Sequence, residues 1–395
     1  MNIGVGWALL GDWNYPTAIR FGNGRVEELP DACAKAGIAR PLLITDPGLA
    51  ASDMVQNALK LCTDAGLPTA CFSEVASNPV NGNVVDAVAT YRAGGHEGVI
   101  AFGGGSAMDV ARATALMVGQ RRPIWDFEDR EDWYLRADAD AIAPIVAVPT
   151  TAGTGSEVGR VAVITDEAAR CKKLIFHPML MPKIVILDPG LTLSLPPELT
   201  AATGMDALAH NLEAYCARGF HPMADGIALE GMRLVKDWLP TAVKDGSDIS
   251  ARAHMLVAST MGATAFQKGL GAIHALSHPV GALYNSHHGL TNAVFMPYVL
   301  AFNRSEIEVP LERLARHLEL PQGDAGGVLK WVLQLRQEIG IPHSLAELGV
   351  TEDGIDHLVA LAEIDQARAC NPRPLSKQDL AQLFIDAIRG DLQES

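Results

Sequence analysis

Gly98-Val-Ile-Ala-Phe102-Gly-Gly-Gly105-Ser-Ala-Met-Asp109 carries a short apolar, β-branched run into three glycines and then into a helical pattern reaching about residue 118. A run of that length, bounded by glycine, reads as a buried strand rather than a helix. A strand that opens a helix through a glycine loop is the unit of an α/β sheet, with the loop at the carboxyl edge where ligands bind. The glycines leave no Cβ between the backbone and a ligand. The free N–H groups at the positive end of the following helix favour an anion. The spacing is neither the GxGxxG of a dinucleotide fingerprint nor a P-loop, which needs Gly-Lys-Ser/Thr. A tight turn with no ligand is the alternative for the loop taken alone.

The same alternation extends to both sides. Residues 41–45, 69–72 and 144–148 read as strands, and residues 51–65 and 83–93 as helices. Strands alternating with helices of this length predict a Rossmann-like parallel sheet with helices on its faces. The fourth strand ends in Pro149-Thr-Thr-Ala-Gly-Thr-Gly-Ser-Glu157, a loop with four hydroxyls and two glycines. Such a loop can hydrogen-bond a polar ligand from backbone and side chain. Two such loops on one sheet edge point to a dinucleotide across it. Asp46 ends the first of these strands, where a carboxylate either accepts from a ribose hydroxyl or caps a turn.

Beyond Leu187-Asp-Pro189 the strand-like runs give way to Ala-, Leu- and Met-rich helical periodicity over 198–217, 222–237, 250–265, 272–283, 291–302, 309–317 and 325–339. The reading is two domains: residues 1–189, an α/β dinucleotide-binding domain, and residues 190–395, an all-helical metal-binding and catalytic domain. Trp125–Arg136, dense in acids and aromatics, reads as a surface excursion.

The helical half also gathers imidazoles. Asp206 and His210 are four residues apart and share a helix face, and His274 and His278 repeat that spacing, followed by His287 and His288. Three imidazoles and a carboxylate suit a borderline divalent ion such as Fe²⁺ or Zn²⁺. Spacing alone does not say which histidines are ligands, and satisfied core histidines are the rival reading. His177, His221 and His254 lack a partner at ligand spacing and read as structural.

Composition bounds the partners. Of 395 residues, 46 are acidic and 31 are Lys or Arg, a formal charge of −15, which argues against nucleic acid or an anionic membrane as the main partner. At 48% hydrophobic the chain can bury a sizeable core. Six cysteines without a tight pair read as reduced thiols packed as small apolar residues. With no charged n-region before an apolar stretch and no long apolar run, a cytoplasmic protein is expected.

Taken together, Gly103–Asp109, Pro149–Glu157, Gly204–His210 and Phe266–Gly289 resemble the iron-containing (group III) alcohol dehydrogenase family. The similarity runs from about Phe21-Gly-Asn-Gly24 to Asn371-Pro-Arg373. The resemblance implies a dehydroquinate synthase-like architecture, an α/β domain followed by an all-α domain. It places the metal ligands on Asp206, His210, His274 and His288, with Fe²⁺, or Zn²⁺, as the ion. His278 then falls beside the nicotinamide as the candidate for relaying the hydroxyl proton, and His287 on a position not used as a ligand. NAD is the implied cofactor, met by Asp46, Gly103, Gly104, Gly105, Ser106, Asp109, Thr150, Thr151, Thr154 and Lys173, with Lys172 beside the last as its competitor. The intact ligands argue against the metal-free maleylacetate reductases of the same superfamily.

Two departures from the family pattern stand out. Arg112 replaces a usual lysine, and Arg160, where relatives place a small or apolar residue, could hold a carboxylate or phosphonate or else pair with a nearby acid. Arg160 and Phe266 are the candidate substrate residues. The expected reaction is reversible, metal-dependent, NAD-linked interconversion of a primary alcohol and its aldehyde by hydride transfer, in a homodimer or larger homo-oligomer. The rivals are a metal- and NAD-dependent lyase or cyclase of the dehydroquinate synthase type, and a non-catalytic nucleotide-binding scaffold.

Overall fold

The computed structural model describes residues 16–169 and 171–392. They group into two compact units: residues 16–195 with 247–256, and residues 196–246 with those from 257 onward.

The strands of the first unit are β1 (Ala18–Phe21), β2 (Pro41–Ile44), β3 (Ala70–Phe72), β4 (Gly98–Gly103), β5 (Ile145–Pro149), β6 (Val161–Asp166), β7 (Cys171–Phe176) and β8 (Ile184–Leu187). Among the described residues, six of these form a sheet in the order β1-β8-β5-β4-β2-β3, with every pairing parallel. β2, β4, β5 and β8 are buried along their whole length, which is why they read as continuous apolar runs instead of alternating ones.

The helices between them are α1 (Leu29–Lys35), the single turn α2 (Pro47–Ala50), α3 (Asp53–Asp64), α4 (Asn81–Ala93) and α5 (Gly105–Met117). Leu29 and Cys33 of α1 and Val55, Ala58 and Cys62 of α3 pack with Leu43, Ile100, Phe102, Val146, Val148 and Ile186 of the sheet. Each fully buried Val, Leu, Ile or Phe there contributes about 1.5–3 kcal/mol. α5 packs on β4 and β5 apart from that cluster. The six cysteines are free thiols, with Cys33 and Cys62 inside this core.

β6 and β7, which composition alone does not single out, pair as an antiparallel ladder. Trp125–Arg136 departs from the expected surface excursion. Ile124 and Phe127 are buried, the Asp129 N–H donates to Leu174 O of β7 at 2.7 Å, and Tyr134 meets Phe176 edge-on. Its aromatics pack toward the β6–β7 hairpin, while Arg130–Asp132 and Leu135–Arg136 are exposed, so the segment is a surface excursion only in part.

The second unit holds α6 (Pro197–Cys216), α7 (Pro222–Lys244), the later part of α8 (Ile249–Ala265), α9 (Ala272–Tyr284), α10 (His288–His317), α11 (Ala325–Glu338), α12 (Ile355–Ile364) and α13 (Lys377–Arg389). No strand occurs among its described residues. α6 is buried on nearly every side and packs against α7 and α10, as a helix apolar all round must. The two helices expected at 291–302 and 309–317 are one, α10, with Pro297 and Pro310 inside it. Each proline removes one backbone hydrogen bond, but Ile307, Leu311, Leu314 and Ala315 continue the buried face across the second. Among the described residues no helix is long and apolar enough to cross a membrane.

Candidate metal centre and cofactor loops

The parallel register fixes the first pair of loops. β4 and β5 align Gly103 with Pro149, and the Thr150 N–H donates to Gly103 O at 3.0 Å, so the glycine loop and the threonine loop leave the sheet side by side. Gly103 adopts φ of 145°, and a Cβ there would meet Ala107 Cβ at 2.9 Å, so only glycine turns the chain this tightly from β4 into α5. The side chain of Thr151 stands against Gly104, and that of Thr154 against Gly105. Ser106 Oγ donates to Ser77 O at 2.7 Å. Asp46 caps α2, its Oδ1 accepting from the Leu49 N–H at 3.1 Å, while Oδ2 faces Gly103. The capping role and a place beside the glycine loop therefore coexist.

Arg112 is more than a tolerated replacement for lysine. Almost fully buried, it donates through one nitrogen to Ser156 Oγ at 2.8 Å, Val161 O at 3.0 Å and Asp109 Oδ1 at 3.2 Å, which ties α5 to the threonine loop and to β6. Burial pushes the Asp109 carboxyl up to about 7, against the opposing charges of Arg112 and Lys172. Lys173, next to Lys172 on β7, pairs with Asp166 at 2.8 Å and lies over the Trp125 ring. Adjacent residues of a strand point to opposite faces, which separates the two lysines. Arg160 lies over Phe176, and its charge partly offsets the burial that raises the Asp129 carboxyl, so it already has an acid neighbour.

In the helical unit, α6 presents Asp206 and His210 one turn apart, both buried. α9 brings His274 in its first turn, and α10 begins at His288. Gly289 permits that approach: a Cβ there would lie 2.4 Å from Ala202 O and 2.9 Å from Asp206 Cβ. One ligand atom from each of Asp206, His210 and His274 lies within 4.8 Å of the others, and His288 Nε2 stands 3.8 Å from Asp206 Oδ1. The Nε2 atoms of His210 and His274 are 3.0 Å apart. Two such nitrogens need a proton or a cation between them, and a carboxylate with three imidazoles is the donor set of Fe²⁺ or Zn²⁺. These residues fit a divalent ion.

Three residues absent from the expected site surround the cluster. Glu213 lies 2.6 Å from His274 Nδ1, Asp365 lies 2.8 Å from His278 Nδ1, and Asn292 contacts three of the four candidate ligand side chains. Glu213 follows His210 by three residues on α6, and Asn292 follows His288 by four on α10, so both could have been noticed as buried polar residues on a ligand face; Asp365 arrives from a distant segment. The His278 ring stacks on His288 at 5.3 Å, and Phe266 flanks His210 at 5.2 Å. Burial alone would raise the Asp365 carboxyl, but the His278 charge and hydrogen bond hold it below the usual carboxylate range. His287 caps α10, accepting from the Leu290 N–H. His177 and His221 likewise accept from N–H groups at helix starts, and His254 bonds to Ser250 O of its own helix.

Known proteins share this arrangement. Residues 16–189 match the sequence model of the iron-containing alcohol dehydrogenases, and residues 200–388 match the C-terminal region of the same family. A 4-hydroxybutyrate dehydrogenase of Cupriavidus necator is 42% identical over 384 residues, 95% of this chain and 99% of that protein. An NAD-dependent methanol dehydrogenase of Bacillus methanolicus is 35% identical, covering 94% of this chain and 98% of its own. The crystal structure of a 1,3-propanediol oxidoreductase superposes with a TM-score of 0.91 at 32% identity, covering 96% of this chain and all of the other. This chain belongs to the iron-containing alcohol dehydrogenase family. It is a metal-dependent, NAD-linked alcohol dehydrogenase with a His/Asp metal site.

Proposed function

We propose that this chain interconverts a short primary alcohol bearing a distal carboxylate, an ω-hydroxy acid, with the corresponding ω-oxo acid. The observation that carries the reading is the 42% identity, over nearly the whole of both chains, to a relative named for 4-hydroxybutyrate. Asp206, His210, His274 and His288 hold the ion, with Fe²⁺ as the proposed occupant. When bound, the ion supplies a Lewis acid for the substrate oxygen, and NAD takes up the hydride.

The chain's own residues supply orientation and a proton path. Gly103, Gly104, Gly105 and Ser106, at the start of α5, offer backbone N–H groups to the cofactor's pyrophosphate, and Thr150, Thr151 and Thr154 line the adjoining loop. Asp46 Oδ2 accepts from a ribose hydroxyl. Asp365 engages His278 Nδ1 at 2.8 Å, which fixes the ring and leaves Nε2 as the atom that takes the hydroxyl proton during oxidation and returns it during reduction. Asp109, held by Arg112 and Ser156, supports the loops from behind.

The test is an aldehyde panel with NADH and protein reconstituted with Fe²⁺ or with Zn²⁺, including neutral, carboxylated and phosphonylated members of matched length. The ω-oxo acid is expected to exceed the neutral aldehyde in kcat/KM by at least about tenfold, or roughly 1.4 kcal/mol. A neutral aldehyde that matches or outruns it would overturn the substrate class. Arg160→Ala in the same panel asks whether that guanidinium serves the carboxylate: a KM rise confined to anionic substrates says yes, and an equal effect on neutral ones says no.

A further inference from the structure

Asn292 stands one helical turn beyond His288 on α10 and is completely buried. Its Nδ2 lies 2.8 Å from Asp206 Oδ1, 3.1 Å from His288 Nε2 and 3.2 Å from His274 Nε2. All three neighbours are acceptors when the site is ready for an ion, so the amide must turn its nitrogen toward them. Among the described residues its Oδ1 is buried with no hydrogen-bond partner. A buried amide that leaves its oxygen unsatisfied does so only where its nitrogen is needed more.

The contact with Asp206 is the shortest of the three, and it is charge-assisted, the stronger kind. The two imidazole contacts are longer, and their lone pairs are the ones an ion takes. We propose that Asn292 is a positioning residue of the metal centre, acting through Asp206. Its N–H occupies one lone pair of Asp206 Oδ1, fixes the carboxylate rotamer, and leaves the remaining lone pair aimed where the imidazoles converge. In the metal-free chain the same amide stands between acceptors that would otherwise face one another directly. This rests on the reading that Asp206, His210, His274 and His288 hold the ion. Partners of this kind, behind or beside a ligand, commonly set metal affinity by about 10–100-fold.

The experiment uses the full chain, stripped by chelation and titrated with Co²⁺ against a chromophoric chelator, with the visible Co²⁺ absorption recorded at saturation. Asn292→Ala is expected to weaken Co²⁺ binding by about 10–100-fold and to alter the absorption band. In an Asp206→Asn background the same substitution should cost less than about twofold, because the residue it acts through is already lost. Asn292→Leu, which keeps the volume without the donor, should reproduce the loss and covers the case in which the alanine variant does not fold. Wild-type affinity in both variants, or an equal loss with and without Asp206, overturns the proposal. Failure of the ligand reading looks different: His274→Ala would then bind Co²⁺ as the unaltered chain does, and the inference about Asn292 would fall with it.

Discussion

Glu213 Oε2 lies 2.6 Å from His274 Nδ1, and Glu213 Oε1 accepts the Ile273 N–H at 2.6 Å. One buried carboxylate therefore anchors the first turn of α9 and sets the ring of a candidate metal ligand. The first-turn N–H groups of a helix have no intrahelical acceptor and carry the positive end of its dipole, so a carboxylate there is held in place. Asn371 Oδ1 accepts the neighbouring Ala272 N–H at 3.0 Å. With His274 Nδ1 donating to Glu213, Nε2 keeps its lone pair toward Asp206 and His210.

That geometry predicts the outcome of Glu213→Gln, a change of little volume. Both groups facing residue 213 are donors, so a glutamine satisfies one with its oxygen and confronts the other with its NH₂. If His274 is the one confronted, its tautomer flips and a proton replaces the lone pair needed by the ion. Metal affinity should drop by about 10–100-fold. Chelator competition measures it, and unchanged affinity would show that the charge of Glu213 is not what sets the His274 ring.

The Asp109 carboxyl gives a pH signature within the sheet unit. Its folded pKa, pushed up to about 7 chiefly by burial, exceeds the ordinary 3.8. The folded chain therefore binds the proton more tightly than the unfolded one. The resulting stabilisation is complete below pH 4 and is lost as pH rises through 7, an effect on the order of a few kcal/mol. Asp109→Asn should flatten this window. Thermal unfolding at pH 5 and pH 8 should show a larger drop for the unaltered chain than for the variant. Parallel curves would mean that Asp109 does not titrate in this range.

How much of this was legible in the sequence depends on what each residue's signal was made of. Asp206 with His210 was visible because a helix repeats its face every four residues, and β4 with its glycines because both the period and the punctuation change at Gly103. The sheet with its following helical domain could thus be read from pattern. β6 and β7 could not: Lys172-Lys173 interrupts the apolar alternation, and the pair is stabilised by Trp125 and Asp166, which only the fold brings near. Residues 309–317 looked like a separate helix because Pro310 is a local breaker, whereas the buried face that carries α10 through it is a tertiary property. Asp365 escaped for the same reason, since His278 stands 87 residues away in the chain. The contacts of Glu213 with His274 and of Asn292 with Asp206 span 61 and 86 residues, although each also lies within four residues of a candidate ligand on its own helix.

Gly289 tests whether the ligand set depends on close helix approach. In Gly289→Ala the new Cβ would lie 2.4 Å from Ala202 O, a backbone atom that cannot rotate away. The start of α10 must shift, and His288 with it. Overpacking of this kind costs about 1–3 kcal/mol. The expected result is weaker metal binding together with a lower Tm in the metal-free protein. A lower Tm with unaltered affinity would show that α10 adjusts without moving His288.

Asp46 carries the cofactor prediction. Its Oδ1 is committed to the Leu49 N–H and its Oδ2 stands beside Gly103, where the sheet edge meets the glycine loop. A carboxylate in that position accepts from the ribose hydroxyls of NAD and repels the 2′-phosphate of NADP. Asp46→Gly removes the charge, while glycine remains an acceptable N-cap, so stability should fall by only a few tenths of a kcal/mol. The ratio of kcat/KM for NADH to that for NADPH, measured with one aldehyde at saturating metal, should fall at least about tenfold, close to 1.4 kcal/mol of discrimination. If the ratio holds while Tm drops, Asp46 is only the cap of α2, and NAD preference resides elsewhere on the loop.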